Sequence, residues 1–192
     1  MIEAGRLIAG LVHYAAADPE EEAALLRILR FLAQSSDPFG RANPEGHITG
    51  SAVIGRPGGA AFLLVRHRKL GRWLQPGGHT DAADADVLST ALREAREETG
   101  LSTLTVLQGG RPFDVDVHLI PERPGDPAHH HFDLRYLVVT SEAALTAQAD
   151  EVAGARWFTL DEALAAGVDG SLARALRKAQ GLLQIQNPKS KI

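Results

Sequence analysis

Gly77-Gly78-His79-Thr80-Asp81, followed after a short variable run by Leu92-Arg93-Glu94-Ala95-Arg96-Glu97-Glu98-Thr99-Gly100-Leu101, decides how this chain is read. The second half has the composition of a helix that stops at Gly100, the usual residue for the left-handed position after a helix. At about 3.6 residues per turn, Glu94, Glu97 and Glu98 fall at i, i+3 and i+4 and share one face. That placement is electrostatically unfavourable. Like charges repel at this spacing, and the last helical turn carries the negative end of the dipole. A cation held there resolves the conflict, and oxygen-only ligands point to a hard divalent ion, most often Mg²⁺ bridging to phosphates.

Taken alone, Arg93 to Glu98 would also suit a solvated surface helix. The glycines change that reading. Gln75-Pro76-Gly77-Gly78 predicts a tight turn that brings backbone groups close to the acidic face. With both halves in view, the stretch resembles the signature of the Nudix hydrolase family: Gly, a short gap, Glu, a longer gap, then Arg-Glu-apolar-x-Glu-Glu-x-Gly-apolar. Gly78 and Arg93 to Leu101 fit that pattern, apart from a small Ala95 at the apolar position.

The spacing departs from the family at one point. Between Gly78 and Arg93 the chain is one residue longer, so the first Glu of the signature falls on Ala85, between Asp84 and Asp86. In the family that Glu is structural and pairs with the arginine. Asp84 or Asp86 is expected to substitute, or simply to cap the helix, since Asp is a preferred N-cap.

With 192 residues, a net charge of −4 and 44% hydrophobic residues, the chain is long enough for one domain with an appendage and a buried core. Its mild acidity argues against a nucleic-acid backbone binder. The absence of cysteine excludes disulfides, thiol nucleophiles and cysteine-based metal sites, and it fits a reducing, cytoplasmic setting. No apolar run approaches the roughly 20 residues of a membrane span. Leu7 to Ala17 is apolar, but Glu3 precedes it and the charged start is thin, so it reads as a helix rather than a targeting segment.

Residues 1–46 form a helical extension. Asp18 is its N-cap candidate, Pro19 the first helical residue and Glu21 the partner in a capping box. Leu25, Leu26, Leu29 and Leu32 make an apolar stripe for packing on the core or on a second copy in a homodimer. From His47 the period changes to that of strands: His47 to Gly55, a turn at Arg56-Pro57-Gly58-Gly59, then Ala60 to His67. Arg68, Lys69 and Arg72 follow, and beside an acidic metal site they would clamp a phosphate.

After the acidic helix, Thr103 to Gln108 and Phe113 to Ile120 read as strands, the second half-buried by alternation. His129-His130-His131 opens another strand running to Val139, with His131, Asp133 and Arg135 on one face. Neighbours on a strand point apart, so only His129 and His131 could converge on a transition metal. The favoured reading places His131 and Asp133 in the substrate pocket. Short helices from about Asp161 to Ala166 and Ser171 to Gln184 close the chain, with residues 187–192 as a frayed tail.

The resemblance implies an α+β fold, a Nudix α/β/α sandwich with a central mixed sheet over residues 47–186. It implies Mg²⁺-dependent hydrolysis, with Mn²⁺ as the substitute, of a diphosphate linkage in a nucleoside diphosphate joined to another moiety. Glu97 and Glu98 are the expected metal ligands, with the Gly78 carbonyl. Glu94 is a third ligand or the base, Arg93 holds the carboxylates, and Glu151 matches a family position that sometimes serves as base. A nucleotide-binding module without turnover is the alternative, set against the survival of all three carboxylates. An isomerase of the isopentenyl diphosphate type is disfavoured because that chemistry resembles one needing a cysteine.

Overall fold

The computed structural model describes residues 2–125, 127–143, 145–146 and 152–186. Two helices come first, α1 (Ala4–Leu11) and α2 (Pro19–Gln34). Asp18, in an extended conformation, accepts the Glu21 N–H at 2.8 Å, and Pro19 sits at the first turn where its missing N–H has no consequence. The expected capping box is only half made. The Glu21 carboxylate turns away from Asp18 to accept from Ala17 N at 2.6 Å and from Lys178. The first helix is also shorter than the apolar run Leu7 to Ala17 suggests, ending at Leu11.

Eight strands form one mixed sheet: β1 (Gly46–Gly55), β2 (Phe62–His67), β3 (Trp73–Leu74), β4 (Gly77–His79), β5 (Thr105–Val106), β6 (Asp114–Ile120), β7 (His129–Val139) and β8 (Val152–Phe158). Three helices follow strands: α3 (Val87–Thr99), α4 (Leu160–Ala165) and α5 (Gly170–Gln186). The centre of the sheet is the parallel pair β1–β7, in register from Gly46↔His130 to Gly55↔Val139. Along one edge of β1 lie β4 and β2, both antiparallel, and along the far edge of β7 lie β6 and β5. This is the mixed-sheet α+β architecture expected from the element order.

Two apolar layers clothe the sheet. On the first face Ile48, Ala52 and Ile54 of β1 and Phe132, Leu134 and Tyr136 of β7 meet α2 and α3. Phe31 of α2 stacks on Phe132 with ring centroids 4.0 Å apart. Each such buried side chain contributes about 1.5–3 kcal/mol, so the N-terminal helices share the main core. The leucine stripe is rotated from its expected setting. Leu25 and Leu32 are buried with Ile28 and Phe31, whereas Leu26 is 61% exposed. On the second face Val53, Phe62, Leu64, Leu137 and Phe158 pack on α5 through Leu172, Leu176 and Leu183.

Two local readings are corrected. Gly77 to His79 is not the end of a turn but strand β4, paired Gly50↔Gly78 and Ser51↔Gly77 with β1. Of Thr103 to Gln108, only Thr105 and Val106 pair, because the chain turns through Gln108–Gly110 directly afterwards. The polar side of β6 runs from buried Asp114 through partly covered Asp116 to exposed His118. Asp114 is fully buried, because the second face of the sheet is polar over this half.

That polar half is an ionic network. Arg135 donates to Asp114 at 3.0 Å, Asp116 at 3.3 Å and Asp133 at 3.2 Å. From α5, Arg174 reaches Asp114 at 3.1 Å and Lys178 reaches it at 3.3 Å. Lys178 continues to Glu21, which is also bonded to Tyr14, so the network ties α2 to α5 across the β6 edge. Burial by itself raises the Glu21 carboxyl pKa. Hydrogen bonds from Lys178, Tyr14 and Ala17 N outweigh it and bring the value from 4.5 down to about 2.

A carboxyl with a depressed folded-state pKa contributes stability above its unfolded value, and that contribution fades as pH falls from about 4.5 towards about 2. Glu21→Gln is expected to cost on the order of 3 kcal/mol at pH 7, the scale of a broken buried pair. In urea denaturation the gap between wild type and variant should narrow at pH 3. A gap independent of pH would contradict this account of Glu21.

Candidate active site

Helix α3 is seated on the sheet by small residues. Ala91 and Ala95 are fully buried, and Gly50 of β1 lies so close beneath that an added Cβ would come within 2.6 Å of the Val87 carbonyl oxygen. This explains the small Ala95 where a larger apolar residue was expected. The helix starts at Asp86, which accepts the Ser89 N–H at 2.7 Å, and ends at Gly100 with φ +72°.

Asp84 and Asp86 therefore divide the work. Asp86 caps the helix, and Asp84 takes the arginine. Arg93 Nε donates to Asp84 Oδ1 at 3.2 Å and Nη2 to Oδ2 at 3.0 Å, a two-pronged pair. The rest of the fork reaches the His79 carbonyl oxygen at 2.8 Å, Glu94 at 2.8 Å and Glu97 at 3.2 Å. Hydrogen bonding to Asp84, and secondarily to Glu94, pushes the guanidinium pKa further above its ordinary value. Burial opposes ionisation of Asp84, but Arg93, Asp81 N and Thr90 hold its carboxyl below the usual range.

Two of the three glutamates, Glu94 and Glu98, meet β4. Glu98 accepts the Gly77 N–H at 3.1 Å. At Gly78 an added Cβ would stand 2.7 Å from the Glu94 carboxyl group, so the glycine leaves room for a carboxylate rather than freedom for a turn. Glu97 is exposed at the mouth. Burial raises the Glu94 pKa above the ordinary carboxylate value despite Arg93 beside it. Arg41, ahead of β1, lies near enough for its charge to lower the pKa of both Glu94 and His79.

The structure brings Gly78, Arg93, Glu94, Glu97 and Glu98 together and sets the other expected residues apart from them. Arg68 donates to the Val152 carbonyl at 3.0 Å, while Lys69 and Arg72 are exposed. Asp133 is buried and receives Thr49, Ser51, Gln75 and Arg135. Glu151 lies outside the described residues. His131 stands among other imidazoles, its ring 4.9 Å from that of His47 and 5.0 Å from that of His79. Burial and the neighbouring charges bring His79 down to about 3 and His131 down to about 2, so both are neutral.

Arg41, His47 and His79 escaped the reading of the sequence. Strand register sets His47 beside His131 and His79 beside Thr49, and a parallel pairing over 80 residues of chain leaves no local signal.

A family model described as the NUDIX domain matches residues 46–179. A bis(5'-nucleosyl)-tetraphosphatase [asymmetrical] of Mus musculus is 54% identical over 53 residues, 26% of this chain. The match spans 35%, about a third, of that protein's length. The fold is similar to that of a C. elegans Ap4A hydrolase in a binary complex (TM-score 0.54, 19% identity, 71% of this chain and 96% of that one). It is similar also to the NUDIX domain of Shewanella oneidensis NrtR with ADP ribose (TM-score 0.54, 21% identity, 80% and 97%). At such identities the two structures speak for the fold alone.

The division between the two aspartates is open to measurement. Asp84→Ala leaves Arg93 half-partnered and should cost about 2 kcal/mol in urea denaturation. Asp86→Ala removes an exposed cap and should cost about 1 kcal/mol. The reverse ranking would show that the Asp84–Arg93 pair is not what fastens the helix.

Proposed function

This chain belongs to the Nudix family, and on that premise we propose that it is a Mg²⁺-dependent pyrophosphohydrolase that opens a diphosphate linkage in a nucleoside diphosphate joined to a second moiety. The observation that carries the reading is the placement of Glu94 against Gly78 and of Glu98 on the Gly77 N–H, with Glu97 tied to Glu94 through Arg93.

The residues fit a hard divalent ion, Mg²⁺ or in its place Mn²⁺. The donor set is oxygen only, and the elevated pKa of Glu94 marks a charge that the metal-free protein stabilises poorly. Glu97, Glu98 and the Gly78 carbonyl would hold the ion, with Glu94 as third ligand or as base. When bound, the ion neutralises the bridging phosphates and lowers the pKa of the attacking water. Glu94, with its raised pKa, is suited to take a proton from water, and Glu151, immediately before β8, is the second candidate for that role. Arg93 keeps the carboxylates aimed while its own charge is spent on Asp84 and the His79 carbonyl. Arg41, whose charge lowers the Glu94 pKa, is assigned with Arg68, Lys69 and Arg72 to the outer phosphate.

A panel of nucleoside diphosphate derivatives, including Ap4A and ADP-ribose, assayed for cleavage with Mg²⁺ and Mn²⁺, tests the proposal. Cleavage of at least one compound should cease in excess chelator. Binding without cleavage across the panel would favour the non-catalytic module instead.

Glu97→Gln and Glu98→Gln sharpen the test. Each removes a repelling charge, so the metal-free melting temperature should stay level or rise by the equivalent of a few tenths of a kcal/mol. Turnover should fall by orders of magnitude, because transition-state charge stabilisation is lost with the metal. Glutamine variants that unfold without metal, yet work at full rate where folded, would make these side chains scaffold.

A further inference from the structure

We infer that His47, His79 and His131 form a second, separate site, for a transition-metal ion such as Zn²⁺, on the face of the sheet opposite α3. Alternation along β4 establishes the separation. Gly78 pairs with Gly50 and faces Glu94 on the α3 side, so His79, paired with Thr49, directs its ring to the other side. His47 and His131 stand side by side in the parallel β1–β7 register, with odd-numbered side chains on that same face. One ligand nitrogen from each of the three lies within 4.8 Å of the other two.

Tetrahedral zinc, with bonds of about 2.0–2.1 Å to imidazole nitrogen, needs nitrogens roughly 3.3 Å apart. Small side-chain rotations close that difference, and His79 and His131, both only half-buried, have room to make them. His131 Nε2 is buried without a hydrogen-bond partner among the described residues, so this imidazole has an unsatisfied nitrogen to offer an ion. Neutral imidazoles select borderline transition metals over Mg²⁺, which prefers the carboxylates across the sheet.

The surroundings have the form of a metal site's outer shell. His118 stands edge-on to the His131 ring, centroids 5.4 Å apart, and is fixed by Asp116, 2.9 Å from its Nδ1. His129 lies 5.1 Å from the His47 ring with its Nδ1 2.8 Å from the Pro127 carbonyl, and water would complete the fourth position. His131, expected from sequence to touch substrate, is thereby assigned to ligation. An ion here would brace β4 against β1 and β7, and β4 is the strand that Glu94 and Glu98 meet.

The test uses the full chain stripped of metal, titrated with ZnCl₂ by calorimetry, with bound zinc counted by elemental analysis. One equivalent of zinc should bind and persist in Glu97→Gln, while His79→Asn and His131→Asn weaken it at least tenfold. Both histidines are partly exposed, so these variants should keep the wild-type melting temperature without metal. Co²⁺ is the independent readout, expected to show the intense visible bands of a tetrahedral nitrogen-rich site that vanish in His131→Asn. Absence of zinc binding would overturn the inference. So would zinc that survives both histidine substitutions, or a cobalt spectrum of the weak, octahedral oxygen type.

Discussion

One guanidinium organises the acidic site. Arg93 touches the segment before α3 through Asp84, the strand β4 through the His79 carbonyl, and the acidic face through Glu94 and Glu97. A planar fork with five donors can make these contacts together, and a lysine ammonium cannot reproduce them. Its charge also offsets part of the repulsion that three carboxylates at i, i+3 and i+4 impose on a helix end. Without it, Glu94 and Glu97 would lose their shared partner, and β4 would be tied to the helix only through Glu98 on the Gly77 N–H among the contacts described.

The sheet then sorts chemistry by face. Even-numbered positions of β1 and β7 carry the aliphatic and aromatic core under α2 and α3. Odd-numbered positions carry histidines at one end, Asp133 and Arg135 next, and the apolar layer under α5 beyond. Such a polar stripe is tolerable because its charges are matched, from Asp114 and Arg135 through Lys178 to Glu21. The N-terminal helices thus contribute an ion pair as well as apolar surface.

What the sequence disclosed followed from local rules. Helical spacing placed Glu94, Glu97 and Glu98 on one face, and Gly100 marked the helix end, because both depend on neighbours within a turn. Helix α2 announced itself through Asp18 and Pro19, but its exact facing did not, since Leu26 and Leu29 are as apolar as Ile28 and Phe31. The glycines misled for a physical reason. Gly77 and Gly78 signal a turn locally, yet they are needed because β1 presses from one side and Glu94 from the other. The histidine cluster was beyond reach, because its members come from three strands joined only by non-local pairing.

We propose as the central claim that Glu94, Glu97 and Glu98 hold a divalent cation beside β4, with Arg93 positioning Glu94 and Glu97. Anomalous diffraction from crystals soaked in Mn²⁺ tests it most directly, because Mn²⁺ takes oxygen ligands as Mg²⁺ does and reveals its own position. The account predicts a peak among these three carboxylates beside the Gly78 carbonyl. A saturating soak that leaves the acidic face without a peak, its glutamates still bonded to Arg93 and Gly77, would contradict it.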